Sequence, residues 1–218
     1  MRISSKALLL GASCLVLMPK SARAISGIDG IAFDRGSASF VSVSVNESKA
    51  AEDFIDKMAS DAISFLGNAD LSVEQKQKKF NRLLTRSFDM NTIGRFALGR
   101  YWRTASAEQR DEYQALFRDM IVEVYSRRFG EYDGQKLEIR GSRKDSEKDV
   151  TVQSFIVPDS GSEIQVDWRV RHKNGQYKVI DVMVEGVSMA LTQRSDFSSV
   201  IQRGGGDLSV LIAHLREQ

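Results

Sequence analysis

The sequence predicts an α+β fold: N-terminal helices, a four-stranded antiparallel sheet, and C-terminal helices packed on one face of that sheet. Three observations predict it. Apolar residues recur at helical spacing as far as Gly130, and the period falls to two after Gly134. An Asn174-Gly175 pair sits between two alternating runs, a hairpin signature. Only Pro19 and Pro158 occur, so no proline-rich linker divides the chain.

The elements follow in order. Arg2 and Lys6 precede an apolar run from Ala7 to Met18, and Ala22-Arg23-Ala24 supplies a small-x-small cleavage site. Residues 1–24 therefore read as a secretory signal peptide, too short in its apolar part to anchor in a bilayer. An alternative lipidates Cys14, which follows the small residues Gly11-Ala12-Ser13, although the apolar run continues through Leu17. Residues 25–46, rich in Gly and Ser, read as a flexible lead-in. Residues 47–218 then form a single domain.

Asn46 is placed to cap a helix from Glu47 to Leu66, with Ala51, Phe54, Ile55, Met58, Ala62 and Phe65 at helical spacing and Gly67 as its stop. Ser72 and Gln75 form a capping box for a second helix carrying Phe80, Leu83, Leu84 and Phe88. A short helix over 91–99 follows. Ser106 and Gln109 form another capping box, opening a long helix with Tyr113, Leu116, Phe117, Met120, Ile121, Val124 and Tyr125 on one stripe, ending at Gly130. Its other face, with Arg110, Glu112, Arg118, Glu123 and Arg127, reads as solvated.

Four alternating runs come next. They contain Leu137 and Ile139; Val150 and Val152; Ile164, Val166, Trp168 and Val170; and Lys178, Ile180, Val182 and Val184, the last four expected to share a face. Short turns between consecutive strands imply an antiparallel sheet. Residues 187–202 and 207–216 read as closing helices, separated by glycines 204–206.

Charge and reactive groups narrow the function. Removing the leader takes away Arg2, Lys6, Lys20 and Arg23 and no acid, leaving 27 basic and 29 acidic side chains. The remaining chain is slightly acidic and offers no argument for nucleic acid. The single cysteine, Cys14, lies in the leader, so the exported chain has neither a disulfide nor a thiol nucleophile. Two histidines, His172 and His214, stand apart from any nucleophile, and no metal-ligand spacing occurs. No cofactor motif is present: Gly94 and Gly99 lack the Lys-Ser/Thr of a phosphate loop. The carboxylates Asp167, Asp181 and Glu185 are the remaining catalytic candidates. Burial could raise one of their pKa values for proton transfer. Pairing with the arginines of the sheet is the competing structural reading, and it is preferred.

Two stretches carry a resemblance: FDMNTIGRFALGRYWRTASAEQRDEYQALFRDMIVEVYSRRF at 88–129 and YKVIDVMVEGVSMALTQRSDFSSVIQRGGGDLSVLIAHL at 177–215. Phe88-Asp89, Leu98-Gly99 with Trp102, Gln109-Arg110, Phe117 with Tyr125, Asp181-Val182, Glu185-Gly186-Val187-Ser188, Arg194 and Phe197 occur in an order that resembles the MlaC family, also called the toluene-tolerance auxiliary family. Tyr177 departs from the tryptophan usual in that family, one aromatic for another. The resemblance covers residues 50–216. It implies a periplasmic phospholipid-binding protein whose helices and sheet enclose an apolar cavity. No enzyme activity is implied, and no cofactor or metal. The implied ligand is a diacyl phospholipid, or a hopanoid in one branch. The implied partners are the lipid-binding ring of an inner-membrane ABC transporter and an outer-membrane lipoprotein complex.

On that resemblance the expected lipid-binding residues are Phe96, Leu98, Trp102, Phe117, Ile121, Tyr125, Val166, Trp168, Val182, Val184, Val187, Met189 and Ala190. Each would equally serve to fill a core. Two other readings stay open. An enzyme on a similar cone-shaped scaffold would use Asp181 or Asp167 as base. A non-lipid adaptor would have a solid core and an exposed patch.

Overall fold

The computed structural model describes residues 38–217, with side chains from residue 46. The leader and most of the lead-in lie outside the described residues. The first helix, α1, spans Ala38–Leu66 and so begins before the expected boundary at Glu47. Asn46 lies inside it rather than capping it. No glycine or proline occurs between Ser37 and Leu66, so nothing in the chain stops the helix at Asn46.

Ser72 opens α2 (Val73–Ser87) with the expected capping box: its amide donates to Gln75 Oε1 at 2.8 Å, and the Gln75 amide donates to Ser72 Oγ at 3.3 Å. Asp89 caps α3 (Met90–Leu98) through the Thr92 amide at 3.0 Å. Gly99, at φ +60°, turns the chain into a single-turn helix α4 (Tyr101–Thr104), which periodicity is too short to reveal. Ser106 and Gln109 cap α5 (Ala107–Ser126) as expected. This helix ends four residues before Gly130, and a 3-10 turn at Phe129–Glu131 leads to the sheet.

The sheet contains β1 (Lys136–Lys144), β2 (Asp149–Val157), β3 (Ile164–Lys173), β4 (Gln176–Val184) and a two-residue β5 (Val187–Ser188). All are antiparallel neighbours in chain order. Asn174 and Gly175, at φ 52° and 74°, make the expected hairpin turn. The fifth strand is new. Glu185 and Gly186, at φ 50° and 78°, form a second tight turn and fold Val187 back on Val184. A bulge also changes the face of β4. Val170 pairs with Val179 and Arg169 with Asp181, leaving Ile180 as the extra residue. Val179 rather than Ile180 therefore joins Val182 on the core face, because one inserted residue reverses the alternation. The closing helices are α6 (Met189–Arg203) and α7 (Leu208–Arg216).

The buried residues divide into two cores. One joins α1 and α2 to the sheet through Ile55, Met58, Leu83, Val152, Val166, Val170 and Val179. The other joins α3, α5, α6 and α7 through Leu98, Tyr113, Phe117, Phe197, Ile201 and Leu211. Tyr113, Phe117 and Phe197 contact one another ring to ring at 5.8–6.0 Å between centroids.

Candidate functional site

A cavity of about 380 Å³ lies between the two cores. Its size falls in the range of small-molecule pockets. Exposed residues in its lining, Val124, Lys136 and Asp196, show that it opens to solvent. Helices α1, α2 and α5 each contribute an apolar stripe to its wall. Met58, Ala62, Phe65 and Leu66 come from α1, and Phe80, Leu83 and Leu84 from α2. Phe117, Met120, Ile121 and Tyr125 come from α5. Leu137, Ile156, Trp168 and Val182 form the sheet side, and Met189 and Ala190 the start of α6.

One end of the cavity is aromatic. Phe80 lies 5.5 Å from Phe129 and 6.2 Å from Tyr125, and Phe129 lies 6.4 Å from Phe65. Burial raises the Tyr125 phenol above its ordinary pKa, so it stays neutral there. Trp168 places its indole on the wall while its N–H is satisfied: Nε1 donates to Ser154 Oγ at 2.9 Å, and that hydroxyl donates to the Val166 carbonyl at 2.7 Å.

The expected site residues separate into two groups. Phe117, Ile121, Tyr125, Trp168, Val182, Met189 and Ala190 meet on the cavity wall. The other six lie elsewhere. Leu98 and Val166 are sealed inside the helical and sheet cores. Trp102 packs against the helical core under the Arg110 guanidinium. Phe96 is 41% exposed beside Arg194, and Val187 is 47% exposed. Val184 stands between Val166 and Val187 in the sheet, off the cavity. The contributions of α1 and α2 carried a sequence signal, their apolar stripes, but one that reads identically to core.

The carboxylates have structural partners, though not the expected arginines. Asp181 accepts from the Ser188 hydroxyl at 2.6 Å, the Val182 amide at 2.9 Å and the Ala190 amide at 3.1 Å. It thereby ties the tight turn and the open amides of α6. Glu185 accepts from the Gln165 amide at 2.6 Å. Asp167 accepts from Gln165 Nε2 and does not line the cavity. The β3 arginines Arg169 and Arg171 instead face Asp149, which Arg171 grips with two bonds of 2.7 and 2.8 Å. Fixed donors thus surround the only one of these acids, Asp181, that borders the cavity. Among the described residues no cluster could hold a metal ion, and no helix is long and apolar enough to cross a membrane.

The family model described as MlaC protein matches residues 56–217, from within α1 to the residue that follows α7. The chain belongs to the MlaC family. The toluene tolerance protein ttg2D of Pseudomonas putida is 26% identical over 133 residues, which are 61% of this chain and 62% of that protein. The intermembrane phospholipid transport system binding protein MlaC of Haemophilus influenzae is 25% identical over 123 residues, 55% of this chain and 58% of that one. The match thus spans about three fifths of each relative's length. A phospholipid-binding protein from Ralstonia solanacearum, solved in complex with a phospholipid, shares the fold. Its TM-score is 0.66 at 24% identity, over 77% of this chain and 95% of that one. This MlaC-family fold is therefore an α+β one whose helices and sheet enclose an open apolar cavity.

Proposed function

We propose that this chain is a periplasmic phospholipid carrier rather than an enzyme. One observation carries the reading: the interior between its two cores is an open cavity walled by hydrocarbon and aromatic rings. Two acyl chains of about 16 carbons, at roughly 0.8 kcal/mol per CH₂, cost on the order of 25 kcal/mol to expose to water. Free lipid therefore almost never crosses an aqueous gap. A carrier does not have to outbid the bilayer. It needs an interior about as apolar as the membrane, so that exchange at each docking partner is close to isoenergetic. Aliphatic walls such as Leu84, Ile121 and Val182 provide that interior, and no catalyst is required.

Residues 1–24 would direct export to the space between the two membranes, and the domain would begin with α1. The docking partners would be the lipid-binding ring of an inner-membrane ABC transporter and an outer-membrane lipoprotein complex. The cavity-lining residues from α1, α2, α5, the sheet and α6 are the proposed lipid contacts. The names of the Pseudomonas and Haemophilus relatives and the lipid-bound Ralstonia protein support this reading.

Mass spectrometry of the protein purified without detergent tests it. Co-purified diacyl phospholipid in stoichiometric amount is the expected result. A hopanoid in its place changes the ligand and keeps the carrier. A protein free of lipid that also takes up none from phospholipid vesicles overturns the proposal.

A further inference from the structure

A second cleft, of about 330 Å³, adjoins the apolar cavity and shares Phe88 and Met90 with it. It is bounded by the α2–α3 junction, the β3–β4 hairpin and Arg118 of α5. The junction is held to the sheet: the Asp89 amide donates to the Val179 carbonyl at 2.9 Å, and Phe88 makes a parallel bridge to Val179. The lining contains four cations, Arg118, Arg171, Lys173 and Lys178, against one acid, Asp89.

Three of these five charged groups already have partners. Arg171 is held by Asp149. Lys178 Nζ donates to the Thr85 and Arg86 carbonyls at the end of α2. Asp89 is occupied by the Thr92 amide and hydroxyl at 3.0 and 2.6 Å. Arg118 and Lys173 have no carboxylate partner among the described residues. Arg118, expected on a solvated helix face, is half-buried, and its Nε is buried with no acceptor. A buried charged donor without an acceptor is costly, and folded proteins rarely keep one without a reason. Asn91, Asn174 and Gln176 add neutral donors around the same space.

We infer that this cleft binds a phosphate-type anion, with Arg118 and Lys173 as its principal contacts. An arginine fork suits a phosphate oxygen pair, and the two fixed cations beside it add attraction without needing to move. The shared wall at Phe88 and Met90 makes two sources chemically equivalent: the head of a lipid whose tails fill the apolar cavity, or a phosphate free of lipid. The first source rests on the proposed lipid carriage; the second does not.

The test uses the protein isolated from the periplasm and stripped of lipid. Proton–nitrogen NMR reads the Arg118 Nε–H and the side-chain amides of Asn91 and Gln176. Inorganic phosphate is titrated at constant ionic strength. In parallel the protein is loaded with dioleoylphosphatidylglycerol, or with dioleoylglycerol, which has the same tails and no phosphate. Movement of the Arg118 signal with phosphate, or with the phospholipid and not with the diacylglycerol, is the expected result. The first outcome assigns the cleft to free phosphate and the second to the headgroup.

Arg118→Gln, or Lys173→Gln at the exposed rim should the former not fold, should weaken the response of the Asn91 and Gln176 amides at least about tenfold, the loss of one charge-assisted hydrogen bond. Signals unmoved by phosphate and unable to distinguish the two lipids overturn the inference, as does an unchanged response in both variants. Loading of lipid with a silent Arg118 removes the anion cleft and leaves lipid carriage intact. Response to phosphate without loading of either lipid does the reverse.

Discussion

Asp181 accepts a hydrogen bond from the Ser188 hydroxyl at 2.6 Å, and this contact joins the last long strand to the helix that closes the cavity. The same carboxylate receives the Ala190 amide, while Ser188 Oγ accepts the Leu191 amide at 3.1 Å. Two side chains thus satisfy the exposed amides at the start of α6, and a charged group does so where the helix dipole favours it.

Asp181→Ala should therefore destabilise the protein by about 2–3 kcal/mol, more than a neutral cap loss. Urea denaturation measures the total. Hydrogen exchange at Ala190 and Leu191 should accelerate more than at Tyr113, buried in the helical core. Equal acceleration at all three would mean that Asp181 does not act on the turn.

Ile121→Glu tests the cavity. Ile121 is half-buried and lines the cavity, so a carboxylate there meets hydrocarbon when lipid is bound and water when it is not. Lipid co-purified per protein should fall at least about tenfold, while the circular dichroism spectrum stays unchanged. Val184, off the cavity, is the matched control: Val184→Thr should retain the normal lipid ratio.

Ser154→Ala removes the acceptor of the Trp168 indole and leaves a buried N–H unpaired. The expected cost is about 1–3 kcal/mol. Because the two groups form one bond, adding Trp168→Phe to Ser154→Ala should cost less than Trp168→Phe in the parent. Denaturation of the four proteins of the cycle measures the difference. Strict additivity would show that the bond contributes nothing.

Asp149 gives a pH dependence. The two hydrogen bonds from Arg171 hold its carboxyl below the usual aspartate range, helped by the charges of Arg171, Arg169 and Lys148 and opposed by burial. An acid whose folded pKa is depressed contributes fully above its unfolded value, near 3.9, and loses that contribution as pH falls through the lower folded value. Asp149→Asn should thus be about 1–2 kcal/mol less stable than the parent at pH 7, with the partly exposed Arg171 screened by water. The gap should narrow as pH falls from about 5 towards the folded pKa. A gap that is constant over that range would remove the pair from the acid response.

Much of the fold was legible because its signals are local. Ser72 with Gln75 and Ser106 with Gln109 place two helix starts to the residue, since a capping box closes within one turn of the chain. Asn174-Gly175 identifies the hairpin for the same reason. The start of α1 at Ala38, the bulge at Ile180 and the returning strand at Val187 were not legible. The bulge and the returning strand depend on which backbone groups a neighbouring strand presents for pairing, whereas α1 starts early because no glycine or proline between Ser37 and Leu66 interrupts it.

The sequence by itself determined most of the elements, their order and the family they resemble. Only the tertiary structure decided which apolar residues line the cavity. Leu98 and Ile121 look alike in a helical stripe, yet one is sealed in a core and the other lines the cavity. Periodicity records which side of a helix avoids water, and that preference is the same whether the side meets other side chains or a hollow. The distance between two packed layers separates the cases, and it is set by all the side chains between them at once.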